Sequence, residues 1–367
     1  MSNDHSYPVF NPKMKLRLPF ACLSALLVCC LAACTADEPP PPDVSDVTVN
    51  LDVLRFDRAL GDLDTTRLAE ELRRLDRTYG SFTDVYFTHL VPVRRGDFSP
   101  AEQERVMQAF LAYPLTGFVD SLVRDRFPAE DAGDATQVQD MLANFEQSLR
   151  YYRHYLPDAP VPDTLVLYDS HFELAAFLYG DGELAAGLDF FLGPDFDYTQ
   201  VAPDEPIFSN YLAASYTPEH FAGKLLRVLF EDAYPPPRTG RMIDYLMYEG
   251  KKLYLLERLL PETPDHVTYE ITAEQLDWLR DNEAPIYAYL QQEDLLFSTD
   301  VNKINKYTRP APYTPGMPQE SPGGAVNYLG RQVVAAYLRQ HPEVTLPELL
   351  AMEDGQEILR GARYKPR

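Results

Sequence analysis

Apolar residues recur every three or four positions over long stretches of this chain, and every second position over short ones. Helical spacing runs from about residue 65 to 155. It carries Leu68, Leu72 and Leu75, then Val106, Phe110 and Leu111, then Met141, Leu142, Phe145, Leu149 and Tyr152. Helices are predicted again over 218–232, 240–260, 273–291 and 324–339. Between these two helical halves the period shortens. Residues 49–56 alternate and predict a short strand, and 164–168 read as another. Two more strands are predicted over 173–179 and 183–192, on either side of Gly180-Asp-Gly182, a hairpin signal. The expected fold is α+β, mainly α-helical with a small antiparallel sheet. Residues 307–323 hold five prolines and predict a long surface loop.

The N-terminal pattern is different. Lys13, Lys15 and Arg17 precede an apolar run over 18–33, which is too short and too interrupted to read as a spanning helix. It ends in Leu31-Ala-Ala-Cys34, which resembles the lipobox of bacterial lipoproteins. In that chemistry the Cys34 thiol takes a diacylglycerol. Cleavage then frees its amine for a further fatty acyl chain such as palmitate, and several chains anchor firmly where one is marginal. Residues 1–33 are therefore expected to be a lipoprotein signal peptide, 34–48 a lipidated Pro-rich tether, and 49–367 a single globular domain. Asp37 and Glu38 resemble the surface-export signal of Bacteroidota lipoproteins.

Composition narrows the function. The 367 residues include 33 Lys and Arg against 56 Asp and Glu, a formal charge of −23. That excess excludes a general nucleic-acid role, which needs clustered cations. It would also repel an anionic bilayer, so a membrane tie must be specific. The four cysteines are Cys22, Cys29, Cys30 and Cys34. Three would leave with the signal, so the mature chain has no disulfide and no Cys nucleophile or metal site.

Motifs for catalysis are missing: there is no Gly-rich phosphate loop, no G-x-S-x-G elbow and no H-E-x-x-H. His171 and Glu173 would share one face of a strand, but two side chains do not make a metal site. One segment breaks local rules. In the helix predicted over 240–260, Met242, Leu246, Leu253, Leu256 and Leu260 form an apolar face, and Glu249 falls on it. A carboxylate there must be paired or neutralised, and Lys252 stands one turn away. Gly250 costs about 1 kcal/mol against Ala in mid-helix, which points to another element packed closely against it. Gly330 is a second mid-helix glycine and a candidate packing partner.

At these residues the chain resembles the gliding-motility-associated lipoprotein GldB family of Bacteroidota. The matching pieces include Leu54-Arg-Phe-Asp57, the segment from Gly187 through Asp189 to Gly193, and Met247-Tyr-Glu-Gly-Lys-Lys-Leu-Tyr254 with Gly250, Lys251, Lys252 and Tyr254. They also include Tyr328-Leu-Gly-Arg331 with Gly330. That family is itself similar to predicted zinc peptidases with a zincin-like fold, in which H-E-x-x-H lies on one helix and a Glu-Gly pair on a later one. The resemblance implies a degenerate zincin-like core, with Glu249 a possible remnant of the zinc site. The first motif would fall near Gly223-Lys-Leu-Leu-Arg-Val-Leu-Phe-Glu-Asp232, which has no histidine.

It further implies a non-catalytic, lipid-anchored protein of the cell envelope, facing the periplasm or the cell surface. Such a protein would support gliding motility or its secretion machinery through protein partners, without nucleic acid, metal or cofactor. Two alternatives stay open: a lipoprotein that captures a solute or polymer, and a zincin-like metallopeptidase with an unrecognised ligand set.

Overall fold

Three parallel strands and one reversed edge strand make the sheet of this chain. A computed structural model describes residues 40–367 except 95, 97, 130–135 and 239, and Asp43 to Arg367 form one compact unit. Cys34 and the signal region lie outside the described residues. The compact unit starts six residues before the expected boundary, because Val44 and Val49 are buried in the core.

The strands are β1 (Asp52–Arg55), β2 (Thr164–Tyr168), β3 (Ala176–Tyr179) and β4 (Glu183–Gly187), in the order β1-β2-β4-β3. β1 and β4 both run parallel to β2, and only β3 is antiparallel, to β4. The expected antiparallel sheet is therefore corrected to a mixed one. The hairpin at 180–182 forms as predicted, with both glycines at positive φ. What differs is β1, whose alternating pattern gave a strand but not its partner 112 residues on (Leu54 sits opposite Val166). The expected strand over 183–192 also stops early, and Leu188–Phe190 form a 3-10 turn.

Both faces of the sheet are covered, as a parallel sheet requires. Leu165, Leu167, Leu184 and Ala186 point into one core. Val166, Tyr168, Ala185 and Tyr179 point into another, with Phe56, Phe82, Tyr86 and α1 (Leu68–Tyr79). Phe56, at the centre of this second core, meets Tyr79, Phe82 and Tyr86 edge-on at 4.8–5.0 Å. Around the sheet lie α2 (Pro100–Leu111), α3 (Pro114–Arg126) and α4 (Thr136–Tyr155). Ser99 starts α2: its backbone N–H donates to Glu102 at 2.8 Å, with Pro100 at the first helical position.

The C-terminal half is helical: α5 (Phe221–Ala233), α6 (Met242–Leu259), α7 (Ala325–Gln340) and α8 (Gly355–Ala362). α6 is buried on most sides and joins two cores. Tyr248, Leu255, Leu256 and Leu259 enter the core beside the sheet, while Met242, Ile243, Leu246 and Met247 enter the helical core. The helix predicted over 273–291 is broken at Asn282 into Ala273–Asp281 and Glu283–Gln292. Among the described residues no single helix is long and apolar enough to cross a membrane.

Candidate functional site

The mid-helix glycines decide how the site is built. A Cβ on Gly250 would lie 2.2 Å from the carbonyl carbon of Gly330, and one on Gly330 would lie 2.0 Å from the Leu246 oxygen. α6 and α7 therefore touch backbone to backbone, and only glycine permits it. Gly330 is the packing partner expected from the sequence. Asp244 ties the start of α6 to its surroundings, accepting from the Arg241 N–H at 2.7 Å and from the Gly355 N–H at 3.0 Å.

Directly before Gly250 lies the carboxylate that broke the pattern. Glu249 is 24% exposed, at the edge of the buried face. Lys252 Nζ stands 3.0 Å from Glu249 and 3.0 Å from Glu231 on α5, so one ammonium bridges two helices. The Lys252 side chain is 8% exposed and lies over the Tyr248 ring at 5.3 Å. A buried ammonium needs this much compensation.

These groups line a cleft of about 610 Å³. Its wall carries Ser215, Arg227 and Glu270, with Tyr211, Tyr245 and Tyr328 as aromatic surface. Burial alone would raise the Glu270 carboxyl, but Lys224 (3.3 Å) and Arg227 (3.1 Å) outweigh it and hold the carboxyl at about 2. Lys224 also donates to Ser215 Oγ at 2.8 Å. In this Ser–Lys pair Glu270 faces the ammonium, and the Ser215 hydroxyl donates to the Leu212 carbonyl at 2.8 Å.

The Pro-rich stretch over 307–323 closes one side of the cleft. From Arg309 on it is the expected surface loop, with most side chains exposed, and it is anchored from within. Thr314 and Ser321 are fully buried. The Thr314 hydroxyl donates to the Pro322 carbonyl at 2.6 Å and accepts from the Ala325 N–H at 2.9 Å, which pins the loop to the start of α7.

The other motif residues are structural neighbours of this site. Lys251 points the opposite way from Lys252 and donates to the carbonyls of Leu350 (2.9 Å) and Met352 (2.7 Å). Burial lowers it to about 8. Tyr254 lies under the Arg258 guanidinium at 3.6 Å. Glu257, unmarked by the sequence, accepts from Arg331 at 2.8 and 2.9 Å, next to the glycine contact.

Zinc does not fit here. Among the described residues no three His, Cys, Asp or Glu groups converge on a metal position. α5 has no histidine, and both carboxylates at its junction with α6 already bind an ammonium.

Asp189 does not line the cleft. It lies just past the carboxyl end of β4, fully buried, and accepts from the Ser170 N–H (2.8 Å), the Ser170 hydroxyl (2.7 Å) and the Phe172 N–H. Burial raises its carboxyl, and these hydrogen bonds limit the rise. Asp169, past the end of β2, is 3% exposed and has one oxygen with no partner. Burial pushes it well above the ordinary carboxylate range, helped by Asp57 and Asp189. His171 and Glu173 belong to the turn after β2, which corrects the expected shared strand face. His171 has φ 58°, both ring nitrogens lack partners, and burial lowers it to about 4. Sequence reasoning missed Asp169. Its only signal was a polar Asp-Ser-His directly after an apolar strand.

The family model described as gliding motility protein GldB matches residues 37–366, so the chain belongs to that family. The family label, GldB_lipo, points to a lipoprotein of the cell envelope. No curated protein and no solved structure matches the chain.

Proposed function

We propose that this member of the gliding motility protein GldB family is held in the envelope by lipid on Cys34 and works there through protein contacts, without catalysing a reaction. The observation that carries this reading is the Lys252 bridge. α5 and α6 stand side by side as the two motif helices of a zincin-like core would, and each offers one carboxylate. Between those carboxylates the chain has placed its own cation. A metal would have to displace a side-chain ammonium that is 8% exposed and held on two sides. The cleft is then a degenerate scaffold, and Glu249 serves the fold.

Two measurements test this. In a deletion strain, single-cell gliding speed should return with the wild-type chain and with Glu249→Gln, but not with Cys34→Ala. Metal analysis of the full chain should find no stoichiometric zinc. Bound zinc, with a peptidase activity lost in a folded Glu249→Gln variant, would replace this reading with the metallopeptidase one. The cleft's size and its tyrosines favour a second reading, capture of a solute or polymer. About 610 Å³ falls in the ligand-pocket range of roughly 300–1,000 Å³. It predicts a ligand-dependent rise in melting temperature.

A further inference from the structure

The joint between α2 and α3 is an uncharged exposed surface in a strongly acidic chain. The two helices meet at 64°. From 106 to 123 the only charged residue is Asp120. Ala112, Tyr113, Pro114, Leu115, Gly117 and Phe118 are all exposed. Tyr113 is 60%, Phe118 53% and Leu115 43% exposed. The charges of this hairpin stand at its far ends: Glu102, Glu104 and Arg105 at the start of α2, Arg124, Asp125 and Arg126 at the end of α3. The pair passes a test of length and composition for a membrane span, but it cannot cross as one. Its inner face (Met107, Thr116, Val119, Val123) is buried in the body, so only the apex is free.

We propose that this apex, with Tyr113, Leu115 and Phe118 at its tip, dips into the interface of the bilayer that holds the lipid anchor. This rests on the anchoring reading above. Three observations favour a bilayer over a protein partner. First, Asp43, where the compact unit begins, is nine residue steps from Cys34. At about 3.1 Å per residue they reach roughly 28 Å, so the body stays close to the membrane. Second, the tip is uncharged, and a chain at −23 meets a lipid surface at least cost through an uncharged contact. Third, tyrosine and phenylalanine suit the headgroup boundary, with an apolar ring inward and, for Tyr113, a hydroxyl toward water. An exposed apolar patch marks a contact surface, and this one offers almost no side-chain hydrogen bonding to specify a protein.

The test uses the full lipidated chain with vesicles of phosphatidylcholine and phosphatidylethanolamine that carry nitroxide-labelled acyl chains. Leu115→Cys, Phe118→Cys and, as a control, Phe297→Cys (the native side chain 53% exposed on a different segment) each carry a fluorophore. The expected result is sedimentation with vesicles, with emission lost at 115 and 118 and retained at 297. Sedimentation with undiminished emission at 115 and 118 would overturn the apex proposal and leave the anchor intact. Equal loss at all three sites would overturn it as unspecific. A concentration-dependent change without vesicles would assign the apex to a second copy of the chain. A chain that stays in solution would overturn both the anchor and the apex.

Discussion

Inward carboxylates are kept in two ways in this molecule, one after strands β2 and β4 and one around helix α6. At the strand ends Asp189 leans on backbone N–H groups and a hydroxyl, and Asp169 keeps an oxygen with no partner. Burial raises both. Around α6 three inward carboxylates meet cations: Glu249 meets Lys252, Glu257 meets Arg331, and Glu270 meets Lys224 and Arg227. Glu283 accepts instead from the Tyr364 hydroxyl at 2.6 Å and the Arg367 N–H at 3.2 Å. With 33 cations for 56 carboxylates, partners are scarce. After β2 and β4 backbone donors take the place of a cation, whereas Asp57, just past β1, is paired with Arg55 at 2.6 Å.

The comparison breaks first if the helical half does not depend on the glycine contact. Gly330→Ala should force α6 and α7 apart and cost about 3 kcal/mol or more, read as a fall in the urea midpoint. An unchanged midpoint would mean that the helices yield easily. Lys252→Met comes next. It leaves Glu231 and Glu249 facing each other without their ammonium. The expected loss is about 2 kcal/mol, below the full cost of a buried charge because Glu231 is half in water. A variant as stable as wild type would show that the bridge contributes nothing.

A pH series sharpens the contrast. Asp169 is raised from 3.8, so its favourable contribution is complete below that value and disappears as pH rises through the folded value. Asp169→Asn should therefore gain on wild type from pH 5 to pH 9. Glu270 is lowered from 4.5 to about 2, so its contribution is complete above 4.5 and disappears as pH falls toward 2. Glu270→Gln should fall furthest behind wild type at neutral pH and close the gap in acid. Parallel pH curves for the two variants would dissolve the distinction. The smallest effect belongs to Gly117→Ala. A Cβ there meets nothing within 4 Å, so stability should rise by about 0.5–1 kcal/mol, the opposite sign to Gly330→Ala.

How far the sequence could be read follows from the range of each interaction. α6 and α7 lie within a residue or two of their expected bounds, because helical period is local. β2 and the turn at 180–182 were legible for the same reason. The pairing of β1 with β2 was not, because alternation gives a strand no address for its partner. Glu249 and its link to Lys252 were visible as a charge on an apolar stripe with a cation three residues on. The second link, to Glu231, joins separate helices and has no local trace. Asp169 was hidden because burial at a strand end depends on what folds over it. The Pro-rich loop was legible as irregular surface backbone, because proline content marks that, but it says nothing of Thr314 buried beneath it.

The way β1 joins the sheet has a mechanical side. A pull on the N-terminal end of the chain meets the buried Val44 and Val49 and then this strand. The register from Asp52–Thr164 to Arg55–Leu167 sets its backbone alongside β2, both running the same way. Drawn lengthwise, the rungs of that ladder stretch together and share the load. Drawn sideways, they would open one after another. The first strand is thus a latch through which such a pull reaches the rest of the body.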